Sequence, residues 1–391
     1  MANIVAIEDA CELVTDGTHY TPKDVGSGVP FLTVKDVTDS ELDFTACSFI
    51  TDEDYKLAAN GNCAPRKGDV LFSKDGTVGK VHVVATDQPF AVLSSLAILR
   101  PKQGAVDAQY LGHALRSPST LDEAIKKKTG SAIRRIILSD LKRVRLPLPP
   151  LPEQRRIADI LDQADALRAK RREALAQLDT LTQSIFIEMF GDPVANPKGW
   201  PTANLGTLIL SASDGPHVSP TYAESGIPFI STRHVRPGVI SWNDMKYLSY
   251  KEAEIQWKKC KPVRDDILYT KGGTTGFAAV VRTDEQFAVW VHVALLKPNK
   301  DLVDSTWLES MLNSPYCYRQ SQDFTHGIAN RDLGLKRMVK IQMYHPPLEL
   351  QRDFAKRMAK LADQKRLQQL ALVELENLFA SLQHRAFRGE L

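Results

Sequence analysis

The chain has 391 residues, 43% hydrophobic, 25% charged and 7% aromatic, with a formal net charge of +3. This composition excludes a disordered, collagenous or wholly coiled-coil chain, and at ~150 residues per domain the length points to two or three domains. No apolar run reaches the ~18 residues of a membrane span, and the opening MANIVAIEDACELV lacks the basic and apolar regions of a secretion signal.

The first domain is expected over 1–148. Strands are predicted at 29–37, 69–73, 80–84 and 90–99, divided by Asp-Gly and other glycine breakers, with helical patches at 108–115 and 121–128. The mixture predicts an α/β or α+β domain with a small sheet. Pro147-Leu148-Pro149-Pro150-Leu151-Pro152 closes it. Proline locks φ and cannot continue a helix, but it is tolerated where one starts. From Glu153 to Phe190 there is neither Pro nor Gly. Apolar residues recur there as Ile157, Leu161, Ala164, Leu167, Ala174, Leu178, Leu181, Ile185 and Met189. The steps of three, four or seven predict one long helix over 149–190. Roughly 38 residues at ~1.5 Å each give a rod of about 57 Å.

Gly191-Asp192-Pro193 and Asn196-Pro197-Lys198-Gly199 then start a second domain over 191–345. A second rod over 346–391 carries Phe354, Met358, Leu361, Ala371, Leu375, Leu378, Leu382 and Ala386. An apolar stripe that long needs a partner. The other rod is the obvious one, the alternative being that each helix lies on its own domain.

The two halves repeat each other. Asp16-Gly17-Thr18-His19 returns as Asp214-Gly215-Pro216-His217, and Gly28-Val29-Pro30-Phe31 as Gly226-Ile227-Pro228-Phe229, both 198 residues on. Beyond these the offset is 197. The run 69–79 (DVLFSKDGTVG) answers to 266–276 (DILYTKGGTTG), Pro149-Pro150-Leu151 to Pro346-Pro347-Leu348, and Gln154-Arg155 to Gln351-Arg352. A dozen matches on one diagonal with a single slip mark a duplication.

Catalytic signatures are missing. Gly76-Thr77-Val78-Gly79-Lys80 resembles a phosphate loop only faintly, because its first Gly is misplaced and Val81 stands where Ser or Thr is needed. There is no Asn-Pro-Pro-aromatic tetrapeptide, GxSxG or HExxH. Five scattered cysteines without a CxxC pair predict a reducing cytoplasm with neither disulfides nor zinc. No metal site and no catalytic residue is expected.

Charge concentrates at 126–145, where eight basic residues face one acidic residue, Asp140. Lys128, Ser131, Arg134 and Arg135 are candidate phosphate contacts there, since Lys and Arg neutralise a nucleic-acid backbone and small residues let it approach. A solvated surface run would look the same. The quieter second copy offers Asn330, Arg331 and Lys336. The loop pair Ser73–Gly79 and 270–276 puts forward Ser73, Lys74, Thr77, Lys80, Lys271, Thr274 and Thr275. A hairpin shaped by glycine is the competing reading. Thr18, His19 and His217 in the Asp-Gly loops carry the same ambiguity, and Lys35, Arg233 and His234 complete the candidate DNA contacts.

The run Leu146-Pro147-Leu148-Pro149-Pro150-Leu151-Pro152-Glu153-Gln154-Arg155-Arg156-Ile157-Ala158 resembles the start of the conserved helices of type I restriction-modification specificity subunits. The 69–79 stretch, the duplication and the length are similar too. The resemblance implies two target recognition domains with small sheets, separated by two long helices forming an antiparallel coiled coil. It further implies a non-catalytic subunit that reads a bipartite site in double-stranded DNA. The helices would act as a ruler and dock two methyltransferase (HsdM) subunits. Restriction/translocase (HsdR) subunits would follow. S-adenosylmethionine would belong to the methyltransferase subunits, and ATP and magnesium to the restriction subunit. One departure is that Leu348-Glu349-Leu350-Gln351 replaces Leu151-Pro152-Glu153-Gln154, displacing the glutamate by one position. The competing expectation is a non-catalytic, dimer-like scaffold whose repeated domains bind protein or glycan.

Overall fold

The computed structural model describes residues 3–38, 41–126, 135–327 and 331–391. The chain folds as two compact units, one of Met1–Ala174 with Gln368–Leu391 and the other of Leu175–Leu367. Each long helix is therefore shared between units, whereas the sequence boundaries set the helices apart as segments of their own.

In the first unit a four-stranded antiparallel sheet runs in the order Cys11–Asp16, Leu96–Pro101, Val70–Ser73, Val81–Val83. A smaller sheet places Val29–Leu32 between Ser48–Ile50, antiparallel, and Ala91–Val92, parallel. The central strands read as unbroken apolar runs because both their faces are covered. Val70, Phe72, Ala97 and Leu99 turn towards Leu111 and Leu115 of helix Ala108–Arg116. Leu71, Leu96 and Ile98 turn the other way, onto Leu32, Phe90 and Val92. Burying each Val, Leu, Ile or Phe among these stabilises the fold by about 1.5–3 kcal/mol.

The second unit repeats the plan with Ile209–Asp214, Val293–Pro298, Ile267–Thr270 and Ala278–Val280. Ile267 and Tyr269 face one core, Leu268 the other. The predicted strand at 90–99 is in fact two, Ala91–Val92 in the smaller sheet and Leu96–Pro101 in the four-stranded one. Sequence reading also passed over helix Asp52–Asn60, whose Thr51 cap accepts the Asp54 N–H at 3.1 Å. Strand Asn3–Ala6 was missed as well, and it pairs antiparallel with Arg145–Leu148 beside the proline turn.

The two long helices are Leu151–Phe190 and Leu348–Ala386. Within the first unit they run antiparallel. Arg156 donates to the Leu391 carbonyl at 2.8 Å, and Arg168 lies over the Phe379 ring at 4.3 Å. Arg172 meets Glu376 at 2.9 Å, and Arg171 donates to Gln368. Ile157, Ala158 and Leu161 pack there against Tyr110, Ala114 and Ala386. Within the second unit the helices are again antiparallel, with Lys365 on Asp179 at 2.9 Å and Phe354 edge-on to Phe186 and Phe190.

The apolar stripe is not covered along its whole length. Ile157, Leu161 and Met189 are buried, but Leu167, Leu181 and Leu378 stand about half exposed. A 3.6-residue helix drifts off a strict heptad seam, so a stripe continuous on paper rotates away from its partner over many turns.

Candidate nucleic-acid interface

The repeated Asp-Gly loop and the repeated hairpin form one knot in each unit. The loop must press against the adjacent main chain, since a Cβ on Gly17 would come within 2.2 Å of the Val92 carbonyl oxygen and one on Gly215 within 2.2 Å of that of Val289. That close approach brings Asp16 to Lys74, whose Nζ lies 2.6 Å from Asp16 Oδ1. In the second unit Lys271 Nζ reaches both Asp214 and Asp332 at 3.3 Å, and Lys259 adds a 2.6 Å contact to Asp214. Burial pushes the Asp214 carboxyl up, but the hydrogen bond from Lys259 and the charge of Lys271 outweigh it and hold the group below the ordinary carboxylate range.

The knot changes the standing of several candidate contacts. Lys74 and Lys271 are buried and spent on carboxylates of their own chain. Ser73 is buried, donating to the Thr77 carbonyl at 2.6 Å and accepting the Lys80 N–H at 2.7 Å, which holds the hairpin closed. Lys80 donates to the Val34 and Val37 carbonyls. Thr18 and Thr275 are buried, Thr18 donating to the Tyr20 carbonyl at 2.8 Å. His234 is buried too and accepts the Ser231 N–H through Nδ1 at 2.9 Å. Desolvation, then the neighbouring Arg233 charge, lowers its pKa. These side chains build the loops. Ser73 serves to close the hairpin, because a buried turn must satisfy its polar groups internally.

Around each knot other candidates remain open to solvent. His19 and Thr77 are exposed in the first unit, as is Lys35 on the loop after strand Val29–Leu32. Arg135 is exposed, and its main chain pairs antiparallel with that of Asp75 in the hairpin. In the second unit His217, Thr274 and Arg331 are exposed. The Gly273 N–H reaches the Arg331 carbonyl at 2.9 Å, and Arg331 itself donates to Gln322. Arg233 is exposed and donates to the Asp244 carbonyl at 2.6 Å, while Lys336 sits exposed on helix Leu335–Met338. Lys128, Ser131, Arg134 and Asn330 lie outside the described residues.

Sequence reading missed His292 and Asp332. The Gly272 N–H reaches the His292 carbonyl, and a Cβ on Gly272 would strike the His292 ring. Burial and then the Lys271 charge lower the His292 pKa, which favours the neutral ring. Its counterpart in the first copy is Ser95, and that of Asp332 is Arg135. The signal was a difference between the copies, and a search for matches passes over it. Among the described residues no cluster of His, Cys, Asp and Glu could hold a metal. Buried Cys11 and Cys317 are pushed up to about 12, which keeps them as thiols.

Residues 2–177 match the family described as the type I restriction modification DNA specificity domain. The chain is 24% identical to the EcoBI type I restriction enzyme specificity subunit of Escherichia coli, over 98% of this chain and 85% of that protein. It is likewise 24% identical to the putative MjaX specificity subunit of Methanocaldococcus jannaschii, over 91% and 86%. Among solved structures, the type I restriction-modification S subunit from M. genitalium shares the fold with a TM-score of 0.60 at 15% identity, covering 99% of this chain and 96% of that one. Residues 2–177 of this chain are thus similar to type I restriction modification DNA specificity domains.

Proposed function

We propose that this chain is the DNA sequence-specificity subunit of a type I restriction-modification system. Each unit would read one half of a bipartite site through the exposed residues around its Asp–Lys knot. The observation that carries this reading is the duplication of that knot, Asp16–Lys74 and Asp214–Lys271, in a chain whose first half matches a DNA specificity domain. A rigid buried ion pair beneath an exposed loop presents Thr77 or Thr274 in a set position, as base-edge readout requires. Discrimination of ~1–3 kcal/mol per well-read base pair needs no reaction, and in this reading the chain performs none.

Partner subunits supply the chemistry in this proposal. Two methyltransferase subunits bring S-adenosylmethionine, and restriction subunits bring ATP and magnesium. Their landing surface would be the apolar residues left open on the paired helices. In the first unit a groove of about 600 Å³ runs between Leu167 and Arg171 on one helix and Ala371, Leu375 and Leu378 on the other. Selection of bound duplexes from a randomised pool tests the reading. Two separated blocks of enriched bases are expected. A single block, or none, would refute it, and affinity that survives a tenfold rise in salt would point to a protein or glycan ligand instead.

A further inference from the structure

The geometry points to Gln154 and Gln351 as positioning residues that lock each long helix to its own recognition domain and so hold the spacing between the two DNA half-sites, an inference that rests on the DNA reading proposed above. Neither glutamine touches the exposed loops. Both are buried at the first turn of a long helix, 1% and 0% exposed.

Gln154 Oε1 accepts the Asp107 N–H at 2.9 Å, while Nε2 donates to the Ala105 carbonyl at 2.9 Å and the Pro149 carbonyl at 2.8 Å. Gln351 repeats this pattern. Its Oε1 accepts the Asp304 N–H at 2.9 Å, and its Nε2 donates to the Pro346 carbonyl at 2.8 Å and the Leu302 carbonyl at 3.4 Å. Asp107 and Asp304 in turn cap the domain helices Ala108–Arg116 and Ser305–Leu312 with their carboxylates. One planar amide thus ties together three pieces of chain in each unit. These are the loop before the domain helix, the cap of that helix, and the proline turn that launches the long helix.

Few side chains can do this. An amide offers an acceptor and two donors in one plane, a carboxylate offers no donor, and an apolar residue offers neither. Prolines already remove φ freedom at the turn, so the amide closes the remaining path for a swivel. The first unit adds two more ties, the Tyr110 hydroxyl on the Pro147 carbonyl at 2.7 Å and buried His113 Nε2 on Asp162 at 2.7 Å. The second copy keeps its glutamine although the residues beside it change, Glu349-Leu350 standing in place of Pro152-Glu153.

A stiff joint matters for spacing. One added base pair shifts a half-site by ~3.4 Å and turns it by about 34° around the duplex. A domain able to swivel on its helix would follow that change, and a locked one would not.

The test uses the full chain, with Gln154→Met and Gln351→Met made separately. Each keeps the volume and removes the three hydrogen bonds. A randomised duplex pool is selected with each protein and sequenced, and folding is followed by circular dichroism. Wild type is expected to enrich two base blocks at one separation. The variants should enrich the same blocks while the preference for that separation over its neighbours falls by about tenfold. Affinity lowered evenly at every separation would make the glutamines merely structural and overturn the inference. So would altered base blocks, or failure of both variants to fold. A wild-type chain that enriches no paired blocks would sink the DNA reading itself. An unchanged separation in variants of a two-block reader would sink only the joint.

Discussion

Lys74 shows how a residue that looks like a DNA contact can be a structural one. Its ammonium is buried on Asp16, so Lys74→Ala would strand a carboxylate in the interior at a cost of about 3–5 kcal/mol. Lys271→Ala should cost less, because Lys259 stays on Asp214 at 2.6 Å. Urea unfolding of the full chain checks both, and equal losses would contradict the account. Acid titrates the same knot. The Asp214 carboxyl lies lower in the fold than its ordinary value near ~3.9. Its contribution is therefore fully present above that pH and disappears as pH falls through the folded value. Asp214→Asn should weaken the protein at neutral pH and flatten the acid limb of its stability curve. Among exposed residues, alanine at Arg331 or Lys35 should lower the salt slope of DNA binding by about one unit each, with little change in base preference. An unaltered slope would remove that residue from the phosphate contacts.

At the scale of elements, position on a helix decides between packing and docking. Phe354 is fully buried and edge-on to two phenylalanines, so Phe354→Ala should cost about 3–5 kcal/mol in thermal or chemical unfolding. Leu378 is half exposed on the same helix. Leu378→Lys should shift stability by no more than about 0.5 kcal/mol, yet abolish co-purification with methyltransferase subunits if the groove beside Leu167 is their landing surface. Retained co-purification would send the search for that surface elsewhere. The two fates follow from drift between helix pitch and stripe, which turns some apolar positions outwards.

For the whole molecule, duplication makes modular exchange the decisive experiment. Replacing residues 1–145 with the matching segment of a relative should change one base block and leave the other intact. Change in both blocks would mean that the two units do not read independently. The net charge of +3 leaves little global attraction to DNA. Affinity must come from local clusters and should fall steeply with salt.

The duplication, the breaker residues and the two long helices were legible in the sequence because each is local or periodic. Proline stops, glycine turns and a stripe at three- and four-residue steps act on neighbouring residues, and a repeat needs no three-dimensional knowledge. The candidate site was legible only as a region. Ser73, Lys74 and Thr275 share the composition of a binding loop, but the fold buries them, since a hairpin pressed against a second loop must satisfy its polar groups internally. His292, Asp332 and the glutamine joints gain their meaning from partners dozens of residues away, 47 in the case of Gln154 and Asp107. Sequence order carries no distance of that kind. Local chemistry therefore determined which elements form and how often, and only tertiary packing decided which polar side chains were consumed in building the molecule and which were left to meet a ligand.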